Sequence, residues 1–88
     1  MNRIRAARRR AQPFIRQVAL AEALGISQTQ LSLIENGRVE VSPAMERAIL
    51  EAIALLEVFY KKASRDVFKH LPNLRDVVRP ALDRAGLH

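Results

Sequence analysis

An all-α fold of five or six helices, with a long fourth helix, follows from three features of the sequence. Apolar residues recur three and four apart, no segment alternates apolar and polar residues as a strand would, and Pro, Gly, Asn and Ser interrupt the pattern at short intervals. The first helix is expected over residues 4–11, rich in Arg and Ala, both good helix formers. Pro13 ends it, because its ring drives the preceding residue out of the α region. Phe14 and Ile15 bridge to a second helix over residues 17–24, with Val18, Leu20, Ala21 and Leu24 apolar. Gly25 stands where a left-handed residue closes a helix. Ser27 is a natural N-cap for a third helix over residues 28–35, which Asn36-Gly37 stops.

Ser42-Pro43, a cap followed by proline in the first helical position, starts the fourth helix. Met45, Ala48, Ile49, Ala52, Ile53, Leu56, Phe59, Tyr60 and Ala63 share one face of it. Leu50, Ala54 and Val58 form a second apolar stripe at i, i+4 and i+8. The helix either continues through Val67 to about His70 or breaks near Ser64, and Leu71-Pro72 closes it. Asn73 caps a last helix with Leu74, Val77, Val78 and Leu82 on its apolar edge, and Pro80 is expected to kink or split that helix.

Eighty-eight residues accommodate one domain, or one small domain with an appendage. The absence of cysteine excludes a disulfide framework and a thiolate zinc site, and two isolated histidines, His70 and His88, make no His-rich metal site. His70 reads as a helix-end residue. The longest unbroken apolar run, residues 52–56, is far below the roughly 18 residues of a membrane span. Residues 1–21 carry Arg and no acid, but they lack the long apolar region and cleavage site of an export signal, and they run directly into a patterned helix. No Ser/His/Asp, Cys/His or paired-carboxylate arrangement stands out, since Glu46, Glu51 and Glu57 do not share one helical face. The expectation is a protein without enzymatic activity, metal or cofactor.

The net charge of +6 is unevenly placed: +5 over residues 1–38, −3 over residues 39–60 and +4 over residues 61–88. Twelve of the 15 cations are Arg, whose planar fork suits phosphate. A polyanion partner, most often nucleic acid, is implied. Within this basic region residues 17–37, QVALAEALGISQTQLSLIENG, pair two eight-residue helices through a tight turn containing Gly25. This is the pattern of a helix-turn-helix. Ala21 faces the third helix where the axes cross, Gly25 takes positive φ without Cβ strain, and Leu20, Leu24, Ile26, Leu31 and Ile34 build the shared core.

Residues 10–38, through R-x6-Q-x2-L-A-x2-L-G-I-S-Q-x2-L-S-x-I-E-N-G-R, resemble the phage-repressor/Cro-like, XRE-type helix-turn-helix family, and the resemblance extends over about residues 3–55. It implies a λ-repressor-like bundle whose third helix enters the major groove, with dimers on pseudo-palindromic operators. Carried over by position, Gln28, Thr29, Ser32 and Leu33 would face base edges, Gln28 suited to adenine and Leu33 to a thymine methyl. Arg16, Gln17, Asn36 and Arg38 would hold phosphates, with Gln17 also buttressing Gln28. The family pattern further sets a structural ion pair between Arg10 and Glu35. Two departures stand out. Pro13-Phe14 replaces a small, flexible connection, and Val39-Glu40-Val41 replaces the basic loop of some relatives.

For Leu33 a packing role against Phe14 or a partner competes with base contact, and for Arg8, Arg9 and Arg10 a solvated basic face competes with phosphate contact. The division expected is a DNA-binding domain over residues 1–60 and a helical extension over residues 61–88 serving dimerisation. The stripe Leu50, Ala54 and Val58 is covered either by residues 72–85 of the same chain or by a second copy, and the dimer is favoured. The function expected is a sequence-specific transcriptional regulator, acting as a repressor on double-stranded DNA as a cytoplasmic, nucleoid-associated homodimer of bacterial or phage type. One alternative is an antitoxin or adaptor whose basic region from Lys61 onward binds a protein partner. Another is an architectural DNA-binding protein with little sequence preference.

Overall fold

The residues at the helix ends account for most of the chain's segmentation. The computed structural model describes residues 2–12, 14–62 and 73–86. Among these, the helices are α1 (Arg3–Arg10), α2 (Gln17–Leu24), α3 (Gln28–Glu35), α4 (Pro43–Lys62) and α5 (Leu74–Arg84), with no strand. The all-α expectation therefore holds. None of the helices is long and apolar enough to cross a membrane.

α1 starts one residue earlier than expected because Asn2 caps it. The Asn2 Oδ1 accepts from the Ile4 amide at 2.8 Å, while its Nδ2 donates to the Ile34 carbonyl at 2.9 Å. One side chain thus starts α1 and ties it to the end of α3. α2 and α3 span the expected residues and end by the same device. Gly25 lies at φ 74°, with Gly25 N donating to Glu22 O at 3.1 Å and Ile26 N to Ala21 O at 3.0 Å. Gly37 lies at φ 72°, with Gly37 N donating to Ile34 O at 3.1 Å and Arg38 N to Leu33 O at 2.9 Å. Both are Schellman closures, which satisfy otherwise orphaned carbonyls and require a residue tolerant of positive φ.

Ser42 caps α4 through its Oγ, which accepts from Met45 N at 3.1 Å. The expected apolar face is the buried one: Ala48, Ile49, Ala52, Ile53 and Leu56 are inside, with Met45 and Tyr60 packed at the edge. Its continuation past Lys62, Ala63 included, and the positions of His70 and His88 lie outside the described residues. α5 corrects one expectation, since it runs through Pro80 as a single helix. Pro80 offers no amide to the Asp76 carbonyl, but both residues are exposed, so water is available to that group. Val78 and Ala81, on either side of Pro80, are fully buried and hold both halves in place.

Leu20, Ala21, Ala23, Leu31, Ile34, Ile49, Ile53, Leu56 and Val78 belong to one core, with Ile4 and Ile15. α5 lies against both α2 and α4, so its apolar edge shares that core. Tyr60, near the end of the core face of α4, has its phenol pushed above the usual value of 10.0 by burial and then by the Glu22 carboxylate. The folded state therefore favours the neutral phenol. This contribution to stability is complete below pH 10 and is lost as pH rises through the folded value. Tyr60 is the chain's single tyrosine and there is no tryptophan, so absorbance near 295 nm follows it alone. The expected midpoint lies above 10 in the folded protein, and Tyr60→Phe removes this part of the alkaline destabilisation. A midpoint at or below 10 contradicts the assigned surroundings.

Candidate nucleic-acid interface

α1 presents one buried stripe, Ile4, Arg8 and Ala11, at i, i+4 and i+7. An arginine in that stripe must find partners inside the protein, and Arg8 finds three. Its Nε donates to Glu35 Oε2 at 3.0 Å, its Nη2 to Glu35 Oε1 at 2.9 Å and its Nη1 to the Ile15 carbonyl at 3.0 Å. The Phe14 ring centroid lies 5.8 Å from the guanidinium carbon, a cation–π distance. The Arg8 and Glu35 side chains are only 8% and 2% exposed. The buried ion pair expected at Glu35 is present, but its partner is Arg8 and not Arg10, which is exposed. The physical reason is register. Ile4 is the large apolar residue of α1, and the side chain one turn after it points to the same side. Phe14, one of the two departures from the family pattern, lies over Arg8 at the exit of α1.

With its last turn fixed by Glu35, α3 presents one exposed row and, beside it, an edge that turns inward. Thr29, Leu33 and Asn36, at i, i+4 and i+7, point away from the core, with Leu33 38% exposed. Gln28, Ser32 and Glu35 form the neighbouring edge. There Gln28 Nε2 donates to Gln17 Oε1 at 3.3 Å, the contact implied by the resemblance, and Asn36 Nδ2 donates to Ser32 Oγ at 3.3 Å. Leu33 is open to solvent, as is Phe14. Arg16 stands at the N-cap of α2 in extended conformation, with no side chain capping the amides behind it. Arg38 is exposed just beyond Gly37. Of the eight assigned residues, Gln28, Thr29, Ser32 and Leu33 lie on α3, Asn36 and Arg38 follow its end, and Arg16 and Gln17 stand at the start of α2, where Gln17 meets Gln28.

The remaining assigned residues lie elsewhere. Leu50 is partly buried against the core, while Ala54 and Val58 are exposed, Val58 at 48%. α5 does not cover them. Its Ala81, Arg84 and Ala85 face Ala44, Arg47, Ala48 and Glu51 across a shallow cavity of about 330 Å³, and Arg84 pairs with Glu51. Of the other cations of α5, Arg79 pairs with Asp76 at 2.8 Å, while the Arg75 side chain lies against Gly25, where a Cβ would stand 2.7 Å from its Nη2. Arg75 thus rests on the turn between α2 and α3, a contact between residues fifty apart that no local pattern announces.

A family model described as "Helix-turn-helix domain" matches residues 2–58. No curated protein and no solved structure is significantly similar to the chain.

Removing Arg8 would strand a buried carboxylate, whereas Arg10 contacts nothing buried. Arg8→Ala is therefore expected to cost about 3–5 kcal/mol of stability and Arg10→Ala less than about 0.5 kcal/mol. Urea unfolding followed by circular dichroism measures both, and equal losses would contradict the pairing.

Proposed function

This chain belongs to the helix-turn-helix domain family, and on that premise we propose that it is a sequence-specific transcriptional regulator of the phage-repressor/Cro-like, XRE type. It acts as a binding protein and not an enzyme, on the nucleoid in the cytoplasm. α3 enters the major groove of double-stranded DNA, where Gln28, Thr29, Ser32 and Leu33 read base edges. Arg16, Gln17, Asn36 and Arg38 hold the phosphates on either side and set the register. The bound protein represses by occupying the promoter.

The observation that supports this most is the division of labour around α3. The outward row is neutral and short-chained, so it suits base edges, while the charges and amides stand at the two ends of the helix. The Gln28–Gln17 contact holds the first reading side chain ready before DNA arrives. Basic residues spread without order would support sequence-independent binding instead. The protein-partner alternative drew on the +4 charge of residues 61–88. Within α5, Arg79 and Arg84 pair with Asp76 and Glu51, so the charge available to an acidic partner would come chiefly from Lys61 to Lys69.

Selection of bound sites from random duplexes tests the reading, with a pseudo-palindrome as the expected product. On the selected site Gln28→Ala is expected to cost about 1–3 kcal/mol and to relax preference at one position, while Arg38→Ala weakens all duplexes alike. Equal losses for Gln28→Ala on selected and random DNA would remove Gln28 from the reading set.

A two-fold operator calls for a second copy, so that two α3 helices sit about 34 Å apart along the duplex. The proposed contact is the row Leu50, Ala54 and Val58, of which Ala54 and Val58 are exposed and not covered by α5. Light scattering at micromolar protein is expected to give the mass of a dimer, and Val58→Glu the mass of a monomer. A concentration-independent monomer for the unaltered chain would end the proposal.

A further inference from the structure

α1 carries five arginines, and the structure sorts them by side. Arg8 is buried and committed to Glu35. Arg3 lies 3.8 Å from Glu46 of α4, and Arg10, two turns further along, shares that side of α1. Arg5 and Arg9, one turn apart, form the other exposed edge, with Arg5 the nearer of the two to the buried stripe of Ile4 and Arg8. Neither has an acidic partner among the described residues.

That edge is placed against the candidate interface. Arg5 lines an open crevice of about 400 Å³ with Asn2, Glu35, Asn36 and Gly37. The Glu35 carboxylate in its wall is already bound on both oxygens by Arg8, so Arg5 supplies the crevice's uncompensated charge. Along the edge of α3 that faces α1 and α2, contacts follow in order: Gln28 to Gln17 at the start of α2, then Glu35 to Arg8 of α1. Arg8 also bonds Ile15, which brings the end of α1 toward Arg16. Gln17 thus stands at the start of α3 and Arg5 beside Asn36 and Gly37 at its end, along a helix about 12 Å long, and Arg9 is the exposed residue one turn on from Arg5 along α1.

We propose that Arg5 and Arg9 are further phosphate-contacting residues, holding the sugar-phosphate backbone of the strand that borders the groove α3 enters. The partner chemistry is the DNA phosphodiester, and the inference rests on the DNA-binding function proposed above. The contacts are independent of base sequence. They join the two clusters at the ends of α3 into one track, and they add affinity without adding choice.

The test uses the full chain and a random-sequence 30-base-pair duplex, with affinity measured by fluorescence anisotropy across a salt series. Each phosphate contact contributes about 0.9 to the slope of log K against log salt. Arg5→Gln and Arg9→Gln are each expected to lower that slope by about 0.9, so that between 50 and 200 mM salt the unaltered chain loses about 3.5-fold more affinity than either variant. Arg5→Lys keeps the slope, and thermal melts stay with the unaltered chain because neither side chain has a partner to lose. Arg10→Gln, which removes the same charge from the opposite side of α1, leaves the slope unchanged. Unchanged slopes for Arg5→Gln and Arg9→Gln, or an equal drop for Arg10→Gln, would overturn the assignment while leaving DNA binding intact. Failure of the unaltered chain to bind any duplex would instead overturn the DNA-binding function, and this inference with it.

Discussion

The guanidinium of Arg8 is the fastening on which the rest of this structure depends. It joins α1, the connection into α2 and the last turn of α3 through two bonds to Glu35, one to the Ile15 carbonyl and the Phe14 ring. A lysine ammonium would not reproduce this, because the planar fork meets both carboxylate oxygens and keeps a third direction for the carbonyl. A buried pair of this kind contributes little net stability over an apolar replacement, since both charges lose their water. Its effect is geometric. Two oxygens of Glu35 and the Ile15 carbonyl meet at one planar group, which ties the end of α3 to α1 and to the entry of α2.

From that constraint the surface of the molecule acquires its order. With Glu35 turned inward, the outward row of α3 carries no charge, and Arg38 stands exposed just beyond its end. Capping reinforces the arrangement. Each of α2 and α3 ends on a glycine at positive φ, and the Asn2 side chain closes the end of α3 while opening α1. Short helices of eight residues are marginal in isolation. They persist here because both close on glycines and their inner faces join the common core.

α5 changes what the basic C-terminal region means. A net charge of +4 over residues 61–88 suggests a solvated, adhesive tail, and α5 holds +1 of it. In the folded chain Arg84 meets Glu51, Arg79 meets Asp76 and Arg75 lies on Gly25. Val78 sits in the same core as Leu20 and Leu31, so α5 reinforces the helix-turn-helix from behind. Arg75 places a cation at the C-terminal end of α2, where the helix dipole favours it. The overall charge of +6 thus combines cations engaged within the fold, such as Arg8 and Arg84, with exposed ones, such as Arg38 and Lys62.

The sequence by itself determined the helices over residues 17–24 and 28–35, the caps Ser27 and Ser42, the closures at Gly25 and Gly37, and the inner face of α4. All of these depend on periodicity or on neighbours within one turn, where few arrangements are sterically allowed. The burial of Glu35 was legible through the family pattern, and the signal naming Arg8 was present in its spacing from Ile4. What the sequence could not decide was which exposed arginine borders which helix, whether Pro80 would divide α5, and where α5 would dock. Those outcomes depend on contacts between residues far apart in the chain, such as Arg84 with Glu51 and Arg75 with Gly25, and on Val78 and Ala81 holding α5 together across its missing hydrogen bond. Tertiary packing decided them, because a helix's own spacing defines its faces but not what each face will meet.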